Sequence, residues 1–130
     1  MGMADEKTVV LAPQELLASN TPRHESDHMA ILVVLRGHAI GRKIDLDPKN
    51  ESLVLGRDET VEICLNDESV SRLHCRLFIE NDAWCIEDLQ STNGTYVAGK
   101  PIDRVSLNDG DLFKVGGSIF KFLSTRNIEA

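Results

Sequence analysis

The 130-residue chain has only three cysteines, Cys64, Cys75 and Cys85, and no Cys-x-x-Cys pair. Such an odd, unpaired set argues against a disulfide scaffold and against the closely paired ligands of a structural zinc site. It reads as small core side chains in a reducing compartment. Long apolar runs are also missing. The longest, Met29–Leu35, has strand length, well short of the ~20 residues that cross a bilayer. Basic residues are in deficit, 14 Lys and Arg against 21 Asp and Glu, for a net charge of −7. That excludes the basic footprint of a non-specific nucleic-acid binder and any electrostatic docking on an anionic membrane. Aromatics are sparse, with one Trp, one Tyr and four Phe. The apolar fraction of 42% still suffices for one compact domain at this length.

Met1–Lys7 lacks the basic stretch followed by an apolar stretch of a secretory signal. We therefore expect a cytoplasmic protein. The sequons Asn50-Glu51-Ser52 and Asn93-Gly94-Thr95 are then coincidental. His24, His28 and His38 are scattered without ligand spacing, so neither a metal nor another cofactor is expected.

No stretch keeps a helical apolar period over three turns. From Met29 onward the texture is β. Short strands are expected at Ile31–Leu35, Lys43–Asp47, Ser52–Leu55, Glu62–Leu65, His74–Glu80, Trp84–Glu87, Tyr96–Val97, Leu112–Val115 and Ile119–Leu123. Turn residues separate them every 8 to 12 positions or so, the rhythm of an all-β sandwich or barrel. Asn81-Asp82 and Gly116-Gly117 read as turns, and Asn93-Gly94 as a hairpin-type dipeptide. Residues 1–28 differ. They hold one short apolar patch, Val9-Val10-Leu11, then prolines and alternating charge, and read as a mobile tail. Gln14–Ala18 has the makings of a single helical turn that nothing sustains. Residues 29–125 form the domain. Residues 126–130, directly after a strong strand, read as the start of a linker to a further, C-terminal region.

Three loops carry polar words at strand ends: Gly56-Arg57, Ser71-Arg72-Leu73-His74 and Ser91-Thr92-Asn93-Gly94-Thr95. Arginine offers a planar fork to phosphate oxygens, hydroxyls donate, and Gly and Asn let backbone N–H groups turn inward. Such loops suit a compact dianion. Polar loops are also what any sandwich has at its ends.

The words nonetheless occur in a particular order. Gly56-Arg57, Ser71-Arg72-x-His74, Asp88-Leu89-x-Ser91-Thr92-Asn93-Gly94-Thr95-x-Val97 and Leu107-x-x-Gly110-Asp111 resemble the forkhead-associated (FHA) domain from about Ala30 to Ser124. The resemblance implies a two-sheet β-sandwich whose loops bind phosphothreonine peptides. It implies that Arg57 is the main phosphate ligand and Ser71 a hydroxyl donor to the same phosphate. Thr92 would be a second phosphate contact, through its hydroxyl or its backbone N–H. Asn93 would hold the ligand backbone, and Arg72 would touch phosphate or flanking peptide. Gly56, His74 and Gly94 would be structural members. After Val97 the family commonly has Asn-Gly, where this chain has Ala98-Gly99.

Ser71, His74 and Asp88 invite a hydrolase reading, but no Gly-x-Ser-x-Gly elbow is present, and we expect no catalysis from this chain. Two readings stay open. One is a phosphothreonine-dependent signalling module, marked by a Ser/Thr protein kinase and serving a downstream output domain such as a diguanylate cyclase. The other is a phospho-independent interaction or oligomerisation scaffold that uses a sheet face. Thr8 is the candidate phosphosite, with Asp5 and Glu6 before it and Leu11 three positions after. The resemblance implies that ligand choice depends on that third position. Phosphorylated Thr8 would then dock in its own domain or in a neighbouring copy, or the ligand would come from a partner protein. Thr21-Pro22 is the lesser candidate.

Overall fold

The structure, a computed structural model, describes residues 29–124. The expectations for the tail, Thr8 included, and for residues 126–130 lie outside them. Eleven strands and no helix occur among the described residues: β1 (Ala30–Arg36), β2 (Lys43–Leu46), β3 (Leu53–Gly56), β4 (Ile63–Cys64), β5 (Cys75–Glu80), β6 (Ala83–Asp88), β7 (Thr95–Val97), β8 (Lys100–Pro101), β9 (Arg104–Ser106), β10 (Leu112–Val115) and β11 (Ser118–Ser124). They make one sheet in the order β2-β1-β11-β10-β7-β8 and a second in the order β4-β3-β5-β6-β9. The fold is an all-β, two-sheet sandwich.

Alternation explains the layering. In β11, Ser118, Phe120, Phe122 and Ser124 are buried while Ile119, Lys121 and Leu123 face outward. In β10, Phe113 and Val115 are buried and Leu112 and Lys114 exposed. The inner faces join in one core that includes Leu32, Val34, Leu55, Leu77, Trp84, Ile86, Phe113, Phe120 and Phe122. The Phe113 and Phe120 rings stack at 5.1 Å across the β10–β11 pair. Phe122 and Trp84 add large apolar area that small strands otherwise lack.

Tight turns join neighbouring strands where the sequence puts Asn, Asp or Gly. Asn81 and Asp82 both have positive φ, 53° and 70°, and close β5 onto β6. Ala98 and Gly99 close β7 onto β8 with φ of 52° and 82°. Asn93-Gly94 is not a hairpin: β6 and β7 on either side of it belong to different sheets, and the dipeptide bends the crossing segment. β8 and β9 went unanticipated. They are two and three residues long and largely exposed, without a period to read, and β8 ends on Pro101 at a sheet edge, where no ladder donor is needed. Cys75 and Cys85 are buried, but Cys64 is exposed, its thiol donating to the Arg57 carbonyl at 3.6 Å. It sits on a two-residue edge strand whose outer side nothing covers.

β1 ends beside the β10–β11 turn: a Cβ added at Gly37 would lie 2.4 Å from Ser118 Oγ. Its other end, Ala30, pairs with Ser124. Met29 and Ser124 therefore lie together at the end of the sandwich away from that turn.

Candidate functional site: the loop end

The loops after β3, β4 and β6 meet the β10–β11 turn at one end of the sandwich. Residues 67–72 form the hub. Gly56 opens the site because backbone passes directly over it: a Cβ there would lie 2.1 Å from the Arg72 carbonyl oxygen. Only glycine fits such an approach. The Arg57 N–H donates to Ser71 O at 3.0 Å, and its Nε donates to Val70 O at 3.0 Å. These ties pin the root of the guanidinium of an exposed residue.

Ser71 Oγ accepts from the Thr92 N–H at 2.9 Å. That bond takes one of the hydroxyl's two lone pairs and orients Oγ, whose single proton can donate to a ligand. The Thr92 N–H is spent on that bond, and its exposed hydroxyl remains. Asn93 Nδ2 donates to Ser69 O at 2.9 Å, so one amide hydrogen is fixed while Oδ1 and the second hydrogen face out. The hub thus brings Arg57, Ser71, Thr92 and Asn93 together. Arg72 is placed differently. Its side chain is 73% exposed and pairs with Asp58 at 3.3 Å.

His74 is fully buried and works as a cross-tie. Its Nδ1 accepts from the Ser71 N–H at 3.0 Å, which assigns the ring proton to Nε2; that proton goes to Gly94 O at 2.9 Å. One ring joins two loops. It also excludes the hydrolase geometry, because His74 bonds the backbone of Ser71 and not its hydroxyl. Gly94, at φ +88°, turns its carbonyl to meet the ring.

Two carboxylates brace the loops. Asp88 Oδ1 accepts from Ser91 Oγ at 2.6 Å and Thr95 Oγ1 at 2.7 Å, while Oδ2 accepts from the Ser91 N–H at 3.1 Å. Burial pushes the Asp88 carboxyl up, but the bonds from Ser91 and Thr95 outweigh it and hold the group below its ordinary value. Asp67 Oδ1 accepts from the Ser69 N–H at 2.8 Å and Oγ at 2.6 Å, and Oδ2 from the Gly117 N–H at 2.9 Å. The Ser69 hydroxyl and the Gly117 and Ser69 amides hold it low. Sequence reasoning passed over Asp67 and Ser69. The available signal was Asp67-x-Ser69, a local Asx-type turn, but its bond to Gly117, fifty residues on, leaves no trace in the sequence. Burial pushes the Cys75 thiol up to about 12, which makes it inert at neutral pH. No group of three or more His, Cys, Asp or Glu among the described residues is placed to hold a metal ion. No helix among them is long and apolar enough to cross a membrane.

The family model for the FHA domain matches residues 53–116, which contain the loops after β3, β4 and β6 and stop within the β10–β11 turn. The glycogen accumulation regulator GarA of Mycobacterium tuberculosis is 38% identical over 95 residues, covering 73% of this chain and 57% of GarA. The chain thus spans less than two thirds of that relative. The oxoglutarate dehydrogenase inhibitor of Corynebacterium glutamicum is 32% identical over 119 residues, covering 92% of this chain and 79% of the relative. A solved FHA domain, studied for its phosphothreonine-dependent interactions, superposes with a TM-score of 0.65 at 29% identity, covering 73% of this chain and 95% of that one.

Proposed function

Because the chain belongs to the FHA domain family, we propose that its loop end binds phosphothreonine peptides and passes a kinase signal to an output without chemistry of its own. Arg57, Ser71 and the Thr92 hydroxyl take the phosphate. Asn93 holds the ligand backbone in register, and Arg72 leaves Asp58 to meet flanking peptide. Gly56, His74 and Gly94 keep the loops in place. The observation that carries this reading is the pairing of a root-pinned arginine fork with a serine hydroxyl oriented by the Thr92 N–H. A phosphothreonine brings about −1.5 to −2 charges and three acceptor oxygens, which match that donor set. The net charge of −7 does not oppose it, since charges beyond a Debye length of about 8 Å are screened.

The ligand is either a partner protein or the chain's own tail phosphorylated at Thr8, in cis or from a neighbouring copy, by a cytoplasmic Ser/Thr kinase. About twenty residues separate Thr8 from Met29, and an extended chain covers ~3.3 Å per residue, enough to reach any point on the domain. Tethering at such length gives effective concentrations near millimolar, so a docked tail competes with outside phosphopeptides. The test uses peptides covering Met3–Gln14, with and without phosphate on Thr8, titrated into a chain beginning at His28. The core lies within residues 29–124, so this chain keeps its fold. Binding that needs both the phosphate and Arg57 supports the tail reading. Absence of binding by the folded chain removes the tail as ligand and leaves partners in trans. Partner affinity that survives both phosphatase and Arg57→Ala selects the phospho-independent scaffold instead.

A further inference from the structure

We propose that the outer face of the six-stranded sheet is the docking surface for residues 14–18 of this chain's own N-terminal tail, Gln14-Glu15-Leu16-Leu17-Ala18. The inference rests on the tail reading above.

The two outer faces of the sandwich are built differently. On the five-stranded sheet the one large apolar side chain, Phe78, is only 5% exposed. The Arg76 and Arg104 guanidinium groups lie 4.0 and 4.9 Å from its ring centre and are themselves paired with Glu87 and Glu80. That face covers itself. Among the described residues, the six-stranded sheet has no such cover. Pairing of Ile31 with Leu123, of Val33 and Leu112 with Lys121, and of Lys114 with Ile119 and Tyr96 sets an apolar stripe on its outside. Leu112 is 42% exposed there. A groove of about 590 Å³ opens between Tyr96, Leu112, Lys114 and Ile119, with the Ala98-Gly99 turn at its rim.

The occupant follows from where the chain enters. Met29 lies at the end of the sandwich away from the phosphate-type loops, as the pairing of Ala30 with Ser124 requires. A tail that places Thr8 at those loops must run the length of β1, seven residues or about 23 Å. The outer face of β1's own sheet is the apolar path between the two points. The segment that crosses it has two adjacent leucines and one acid. The charged side chains at the groove are lysines, Lys114 on its wall and Lys121 next to Leu112, while Lys43 and Asp45 flank the stripe at its β2 edge. A second copy fits less well: it would set these lysines against their equivalents and bring together two chains of −7.

The test compares two peptides phosphorylated at Thr8, Met3–Gln14 and Met3–Asn20, titrated into the chain beginning at His28 and into its Leu112→Asp variant. Leu112 is exposed, so the variant is expected to fold, and an unchanged melting curve checks this. The longer peptide should bind about tenfold more tightly, from burial of two leucines. The gain should vanish in Leu112→Asp and with Leu16→Ser/Leu17→Ser in the peptide, while the short peptide binds both chains equally. Equal affinities, or a gain that survives Leu112→Asp, overturn this docking and leave phosphate recognition standing. If the short peptide shows no phosphate-dependent binding, the tail reading falls instead. Methyl NMR then decides the face separately: Leu112 and Ile119 signals should differ between the full chain and the chain from His28, and revert with Leu16→Ser/Leu17→Ser. Unchanged signals, or signals in the shorter chain that move with its concentration as the face pairs with a second copy, overturn the proposal.

Discussion

The loop end and the outer face of the six-stranded sheet are both open to solvent, yet the fold has prepared them to different degrees. At the loop end, Arg57, Ser71, His74, Asp88 and Asn93 are all tied to neighbours before any ligand arrives. On the sheet face, Leu112, Ile119 and Tyr96 stand where strand alternation leaves them. The difference is one of directionality. A phosphate site works through hydrogen bonds and must have its donors aimed in advance, whereas apolar contact is non-directional and needs only area. Substitutions in the first region should therefore damage binding and often stability. Those in the second should spare the fold.

Arg57→Ala should have the largest effect, a loss of phosphopeptide affinity on the order of 2–5 kcal/mol, because it removes the charged partner of a desolvated dianion. Calorimetric titration checks it, and the melting temperature should hardly move. His74→Ala should lower stability by about 2–4 kcal/mol: it leaves a cavity and strands the Ser71 N–H and Gly94 O. A denaturant melt measures that loss, and phosphopeptide affinity should fall with it. If His74→Ala weakened binding but not stability, the claim that the loop end is part of the fold would be wrong.

Acid should discriminate between the regions as well. Asp67 and Asp88 are held below the usual aspartate value of about 4 in the folded chain. Their contribution is complete above the unfolded value and is lost as pH falls through the lower folded value. Stability should drop over that acid window, and Asp88→Asn should flatten the drop; denaturant melts across pH 2 to 6 or so would show it. Ala98→Asn should stabilise the chain by about 0.5–1 kcal/mol, since Ala98 sits at φ 52°, a region that Asn tolerates better than Ala. The smallest effect is expected for Leu112→Ser, within about 0.5 kcal/mol, because its side chain is not part of the core. A larger loss there would make the outer face structural and erase the contrast.

Much of this was legible in advance, for identifiable reasons. Nine of the strands carry an apolar run or an alternation, and Asn81-Asp82 names its own turn. The polar words at Gly56-Arg57, Ser71–His74 and Ser91–Thr95 mark the loops that meet. Asn93-Gly94 misled because the same dipeptide serves a hairpin and a crossing between sheets; only the partner of the following strand tells them apart. Cys64 misled because its burial depends on whether a neighbour covers β4, which no local pattern records.

By itself the sequence determined the all-β class, the turn positions and the residue types gathered for an anion, since these depend on period-two alternation, backbone preference and side-chain chemistry within a few residues. Only the tertiary structure decided which atoms stay available. It oriented Ser71 Oγ with the Thr92 N–H, put the His74 ring between two loops, joined Asp67 to Gly117, and covered one outer face with arginines while leaving Leu112 exposed on the other. These outcomes depend on contacts between residues far apart in the chain, which packing alone brings within hydrogen-bond reach.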